Sequence, residues 1–231
     1  MDKAKDILLS CRNLSKSYEN GTVITRVLRN INLDFYEGTI SLIYGKSGSG
    51  KTTLLNLLAA LDKPSNGEIY FRDKAYGSMT DSQLSKLRGN NYGFVFQAFH
   101  LIGRISVEDN IKCPGYINGR QIDTNYFNYL VDSLDIRSLL NKMPNQISGG
   151  EQQRVAIARA MILKPCIVFA DEPTGNLDSI NTGIIIDVFK NLNKRYGTTL
   201  IIVTHEENLI DNCDQVIRLK DGEILIEKGQ N

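Results

Sequence analysis

The sequence has little with which to hold a transition metal or to staple itself covalently. It contains two histidines, His100 and His205, and four cysteines, Cys11, Cys113, Cys166 and Cys213, scattered over 231 residues. No Cys-x-x-Cys pair and no histidine cluster is present, which argues against both a zinc site and a disulfide framework. Free thiols in a reducing compartment fit better. Long apolar runs are also missing, and none approaches the roughly 20 residues of a membrane-spanning helix. The polar start, Met1-Asp2-Lys3-Ala4-Lys5-Asp6, leads into only three apolar residues, too few for a signal-peptide core. A membrane role would need a second chain to supply the membrane part. Finally, no excess of one charge exists: the formal net charge is +1. No broad basic face is expected to draw nucleic acid or anionic lipid.

What is present is an ordinary globular composition, 42% apolar and 23% charged, enough for a sizeable core. The short β-branched runs Ile40–Tyr44, Tyr92–Phe96, Cys166–Ala170 and Thr199–Val203 read as strands buried on both faces, as in a parallel sheet. Helical patterns cover Lys51–Leu61, Thr80–Arg88, Gln152–Leu163 and Asn181–Tyr196, the second opening on the capping box Thr80-Asp81-Ser82-Gln83. Ile7–Tyr18 and Val27–Tyr36 read as more exposed, alternating, antiparallel strands. The stretch from about Phe99 to Gln146 lacks a buried strand and reads as a helical insertion, with a helix at Asn125–Leu134. The tail, Gln215–Lys220 and Glu223–Glu227 around Asp221-Gly222, reads as a hairpin. An α/β fold covered by helices on both sides of the sheet follows.

Gly45-Lys46-Ser47-Gly48-Ser49-Gly50-Lys51-Thr52, followed by Thr53, matches G-x-x-x-x-G-K-[ST] between a buried strand and a helix. Glycines let successive backbone N–H groups converge on a phosphate, and the helix N-terminus adds a favourable dipole. In such loops the lysine, here Lys51, neutralises β- and γ-phosphates and the hydroxyl, here Thr52, holds Mg²⁺. Asp171-Glu172 end the strand at Ile167–Ala170, the first a magnesium ligand in P-loop proteins and the second placed to polarise an attacking water. Read alone, such a carboxylate pair is also a common turn or helix cap. Ser148-Gly149-Gly150-Glu151-Gln152 likewise has two readings. It is a capping box, and it is a glycine-opened helix start that offers N–H donors to an anion. One nucleotide already served by Gly45–Thr53 has no need of it.

With these motifs in this order, the whole chain resembles the ABC ATPase family. Ser148–Gln152 resembles the family signature, with Ile147 where leucine is commoner, and Asp171-Glu172 resembles the Walker B end. The resemblance implies a P-loop NTPase (RecA-like) core with a mostly parallel sheet, an N-terminal antiparallel β-subdomain and an inserted α-helical subdomain. It implies one ATPase domain over residues 1–231, with the helical insertion at about 99–151. It assigns Gln97 to the Q-loop and magnesium, Leu177-Asp178 to the D-loop, His205 to the switch histidine and Tyr18 to adenine stacking. Taken alone, Tyr18 is an ordinary loop aromatic, Gln97 a surface amide, Asp178 the cap of a helix beginning near Ile180, and His205 structural. His100 matches no motif. The resemblance further implies ATP and Mg²⁺ as cofactors and a head-to-tail homodimer. In it, each ATP lies between Gly45–Thr53 of one copy and Ser148–Gln152 of the other.

Pro173–Asp178, Phe96–Ile102 and the long interval from Tyr18 to Leu33 resemble the branch that covers lipoprotein release, macrolide or peptide efflux and antimicrobial-peptide resistance. That implies a cytoplasmic chain on the inner face of the cell membrane, bound to an integral membrane permease, with Phe99–Tyr116 the candidate contact. A division-associated branch that transmits force and moves no solute is the alternative.

Overall fold

Strand register places Gly45, Gln97, Glu172 and His205 each just past the carboxyl end of a strand. In this computed structural model, which describes residues 6–211 and 213–229, the chain forms two compact units. Most of the polar leader lies outside the described residues. The first unit comprises Met1–Arg88 with Thr199–Asn231 and the second Gly89–Thr198.

In the first unit, β1 (Ile7–Asn20), β2 (Val23–Tyr36), β4 (Asn66–Phe71) and β5 (Lys74–Ala75) form an antiparallel sheet in the order β2-β1-β4-β5. The two long strands extend past the expected limits to a turn at Gly21-Thr22. Simple alternation fails in β1, where Leu8, Leu9, Ser10 and Cys11 are all buried. Successive strand residues face opposite sides, so both faces of this central strand are covered. Beyond the antiparallel sheet, β3 (Ile40–Tyr44) runs parallel to β8 (Thr199–Thr204) and β9 (Gln215–Lys220), and β10 (Glu223–Gly229) returns antiparallel on β9. Every residue of β3 and β8 is buried, the expectation for parallel strands covered on both faces.

Helix α1 (Lys51–Leu58) stops three residues before the expected end at Leu61. The cause is local. Ala60 is left-handed, with φ of 56°, and the Leu61 and Ala60 N–H groups donate to Asn56 and Leu57 carbonyls at 2.8 and 3.0 Å. This is a Schellman closure with alanine where glycine is usual. Helix α2 (Asp81–Asn91) carries the expected capping box in both directions. The Thr80 N–H donates to Gln83 Oε1 at 2.8 Å, and the Gln83 N–H donates to Thr80 Oγ1 at 3.3 Å.

In the second unit, β6 (Tyr92–Phe96) pairs in parallel with β7 (Ile167–Asp171). The interval between them holds no strand, but α3 (Val107–Asn118), α4 (Thr124–Ser133) and α5 (Gly149–Met161). Helix α6 (Ser179–Tyr196) follows β7. The sequence pattern missed α3 because Pro114-Gly115 interrupts it. The helix is nonetheless capped by Ser106, which accepts from the Asp109 N–H at 3.1 Å, and Asn118 Nδ2 donates to the Pro114 carbonyl at 2.8 Å. Among the described residues no helix is long and apolar enough to cross a membrane.

The α2 cap gives a test of the local reading. Thr80→Ala should cost about 1 kcal/mol, measured as a lower midpoint in urea unfolding. An unchanged midpoint would show that the capping box contributes nothing to the fold.

Candidate nucleotide site

In the first unit, Tyr44 stands opposite Thr204 across the parallel β3–β8 pair, so Gly45 and His205 leave adjacent strands side by side. Carboxyl ends of parallel strands are where such sheets take ligands. The Gly45–Ser49 loop and His205 line one cavity of about 500 Å³, together with Glu207, Arg218 and Asp221. Gly48 and Gly50 are left-handed, with φ of 79° and 101°, a backbone that side chains resist. Gly48 has nothing within 4 Å of where a Cβ would stand, so glycine is required there by backbone shape rather than by crowding. Lys51 is the first residue of α1 and is buried; its Nζ donates to the Gly45 and Lys46 carbonyls at 2.8 and 3.2 Å. The loop thus closes around its own cation. Thr52 follows on the exposed side of the helix's first turn.

Tyr18 belongs to the same unit and is 45% exposed. Its hydroxyl donates to Asp62 Oδ2 at 3.0 Å, and Lys16 Nζ lies 4.8 Å from the ring centroid while bonding Asp62 Oδ1 at 2.8 Å. Partial burial of the hydroxyl, then the Asp62 carboxylate, push the phenol above its ordinary range, with the Thr53 hydroxyl acting in the opposite sense. Asp62 is itself held below the usual carboxylate range. Its desolvation works the other way but is outweighed by bonds from Lys16, the Lys63 N–H and Tyr18. The ring is therefore fixed beside the helix that carries the phosphate loop. A half-exposed aromatic ring of this kind offers a face on which a flat base can stack.

In the second unit, Phe96 stands opposite Asp171 across the parallel β6–β7 pair, so Gln97 and Glu172 also emerge side by side. Gln97 is exposed; its carbonyl accepts from Asn176 Nδ2 at 3.2 Å. Glu172 adopts a left-handed backbone with φ of 47°, a conformation that side chains adopt at a cost and that clusters at functional sites. Its carbonyl accepts from the Gly175 N–H at 3.1 Å, closing a turn.

Ser148 caps α5, and both halves of the capping box form. Ser148 N–H donates to Glu151 Oε2 at 2.7 Å, and Glu151 N–H donates to Ser148 Oγ at 3.3 Å. The Ser148 N–H bond holds Glu151 below the usual carboxylate range. The helix begins three residues earlier than its periodicity suggested, because Gly149 and Gly150 are its first two residues. Amides at those positions have no carbonyl of their own helix to bond, so the cap and the anion-binding readings are compatible. Asp178 likewise caps α6, accepting the Asn181 N–H at 2.8 Å. That bond, followed by the Asn181 side chain, lowers its pKa. Asn181 Oδ1 accepts from Arg154 Nη1 at 2.9 Å and lies 3.2 Å from where a Gly150 Cβ would stand. The signature stretch and Asp178 are thus joined through one asparagine. His100 packs on Phe96 at 5.0 Å, ring to ring, with no polar role for its imidazole in that contact.

Several contributors escaped the sequence reading. Lys16 and Asp62 orient Tyr18 from 2 and 44 positions away in sequence, and Glu207 accepts the Tyr44 hydroxyl at 2.9 Å. Gln153 Nε2 donates to the Pro173 carbonyl at 2.6 Å, tying α5 to the turn after Glu172. None lies in a motif. The one signal available was Tyr44, a polar-tipped aromatic ending a fully buried strand.

Known proteins resemble this chain over most of its length. The sequence model described as ABC transporter matches residues 28–175. An uncharacterised ABC transporter ATP-binding protein of Methanocaldococcus jannaschii is 42% identical over 94% of this chain and 98% of its own. The lipoprotein-releasing system ATP-binding protein of Buchnera aphidicola is 39% identical over 95% and 97%. The macrolide export ATP-binding/permease protein of Pasteurella multocida is 38% identical over 96% of this chain, which spans 34% of that longer protein. Among solved structures, the dimeric ABC transporter cassette MJ0796 superposes with a TM-score of 0.89 at 38% identity, covering 96% of this chain and 98% of that one. A second dimeric structure of MJ0796, in a post-hydrolysis state bound to ADP and Pi, gives 0.88 at 37% identity, with the same coverage. With that likeness running almost end to end, the chain belongs to the ABC transporter family, as one of its ATP-hydrolysing cassettes.

Proposed function

We propose that this cassette drives export of a lipoprotein-like, macrolide-like or peptide substrate through a separate integral membrane permease, on whose cytoplasmic side it sits as a homodimer. The observation that carries the reading is the Gly45–Thr53 loop, with two left-handed glycines and the Lys51 ammonium held among its carbonyls. Two of the relatives above are named for lipoprotein release and macrolide export, which favours solute export over force transmission. MJ0796 is a dimer, which supports pairing of two copies here. The whole chain acts as one ATPase domain in this reading, with the helical stretch at about 99–151 inserted in it.

The roles follow from the chemistry of each group. Loop amides from Gly45 to Thr53 and the Lys51 ammonium neutralise the phosphates, while Tyr18 stacks on the adenine. The Thr52 hydroxyl and the Asp171 carboxylate are hard oxygen donors of the kind Mg²⁺ takes, few enough to leave it waters, and Gln97 adds an amide oxygen. When bound, the ion would supply charge neutralisation at the phosphates. Glu172 polarises the attacking water, and His205 holds the γ-phosphate end of that arrangement. Ser148–Gln152 present the first-turn amides of α5 to the nucleotide of the opposite copy, and Asp178 positions the neighbouring backbone. Within the candidate permease contact, Phe99 turns inward, its ring 3.7 Å from a Gly149 Cβ position, whereas Tyr116 is 62% exposed. Ile102, 45% exposed, and Tyr116 are the large apolar side chains that this segment offers a partner.

Two substitutions test these roles. Glu172→Gln should bind ATP as the parent does, lose turnover by about 100-fold, and accumulate as an ATP-dependent dimer on size-exclusion chromatography. Full turnover in that variant would remove Glu172 from the mechanism. Lys51→Ala should weaken ATP binding by about tenfold or more, read by equilibrium titration, and unchanged affinity would contradict the loop assignment.

A further inference from the structure

The turn between β9 and β10 lies against the phosphate loop. Its two residues, Asp221 and Gly222, are both left-handed, with φ of 50° and 80°, the geometry of a two-residue Asp-Gly hairpin turn. Turn chemistry alone accounts for a glycine there, but the contacts go further than a turn requires. The Gly222 N–H donates to the Ser49 carbonyl at 3.2 Å, and the Gly222 carbonyl accepts from the Arg29 N–H at 2.8 Å. A Cβ on Gly222 would lie 2.3 Å from the Val27 carbonyl oxygen, and a Cβ on Gly45 would lie 2.2 Å from the Leu219 carbonyl oxygen. The hairpin therefore meets the loop twice, Leu219 at its first residue and Gly222 near its last. Strand β2 meets it once more, with Leu28 Cδ2 2.9 Å from where a Gly50 Cβ would stand.

A trans peptide is planar, and its C=O and N–H point in opposite directions. Holding the Ser49 carbonyl toward the hairpin consequently directs the Gly50 N–H away from it. Gly50 is the residue on which α1 opens, and amides at a helix start are the donors such a loop offers to an anion. We propose that Gly222 is a positioning residue for nucleotide binding. Its N–H fixes the Ser49–Gly50 peptide so that the Gly50 amide is aimed at a phosphate of the nucleotide. This rests on the reading of Gly45–Thr53 as the nucleotide loop. The effect is confined to ligands that carry phosphates, since the base and ribose do not meet that amide.

The test uses the full chain and two fluorescent ligands, trinitrophenyl-ADP and trinitrophenyl-adenosine, with circular dichroism and thermal melting to establish folding. Gly222→Ala places a methyl against Val27 and should weaken trinitrophenyl-ADP binding by about tenfold, the size of one lost charge-assisted contact, while leaving trinitrophenyl-adenosine unchanged. Equal affinity for trinitrophenyl-ADP in variant and parent, or an equal loss for both ligands, overturns the proposal. Lys51→Ala, run beside it, separates the two levels. If Lys51→Ala also binds trinitrophenyl-ADP normally, the loop reading fails; if it loses binding while Gly222→Ala does not, only the brace fails. Should Gly222→Ala not fold, amide hydrogen exchange in the unmodified chain decides. ADP should slow exchange of the Gly222 N–H by about tenfold relative to adenosine, by the reciprocity of coupled equilibria, and equal rates overturn the proposal.

Discussion

A phosphate can be held by backbone amides only if several successive N–H groups point to one place, which a strand never does and a helix does only in its first turn; a loop that wraps the phosphate needs more. The chain must turn through left-handed backbone, as at Gly48 and Gly50, and such a turn gains no packing from side chains of its own. It persists because rigid elements hold it from outside. Here β3 delivers the loop from a fully buried strand, α1 carries it away with Lys51 buried at its start, and the Leu219–Gly222 turn closes behind it. The crowding at Gly45 and Gly222 is the counterpart of the openness at Gly48. At the first two, neighbouring carbonyls leave no room for a side chain; at the third, backbone shape alone asks for glycine.

The same economy appears in the second unit, where structural devices and binding devices are the same atoms. Ser148 and Glu151 close a capping box, satisfying one amide of the first turn and the amide of the cap itself. They leave the Gly149 and Gly150 amides as the helix's outward positive end. Asp178 caps α6 and at the same time fixes Asn181, which bonds Arg154 of α5. The signature stretch and Asp178 thus share one bonding partner. Glu172, left-handed at the end of β7, carries backbone strain at the position assigned to the chemistry.

Much of this was legible from residue order because the decisive features are local. Short apolar runs specify Ile40–Tyr44 and Tyr92–Phe96 to the residue, although Phe94 and Phe96 are only half-buried, and Thr80–Gln83 announces its own cap. Local rules also explain the misses. Helix α1 ends early because Ala60 takes a left-handed conformation that sequence rules reserve for glycine, and α3 was hidden by Pro114-Gly115. What could not be read is long-range. Asp221-Gly222 announces a turn, but nothing in those two residues says that the turn bonds Ser49, some 170 positions earlier in the chain, since such a contact is decided by sheet order rather than by local propensity. Asp62, 44 positions from Tyr18, was invisible beside it for the same reason.

The central claim is that the catalytic unit is shared, with Gly45–Thr53 of one copy and Ser148–Gln152 of the other on one nucleotide. Mixed-dimer complementation tests it most directly, pairing Lys51→Ala with Gly149→Asp. The second variant sets a negative charge where a phosphate should dock, at a helix start that tolerates aspartate and with only the Phe99 ring near the new side chain. Each variant alone should be without ATPase activity. Their equimolar mixture should recover about a quarter of the parent rate, because half of randomly formed two-fold dimers are mixed and each contains one intact composite site. A mixture as inactive as its components, with mixed dimers demonstrably formed, would contradict the shared site.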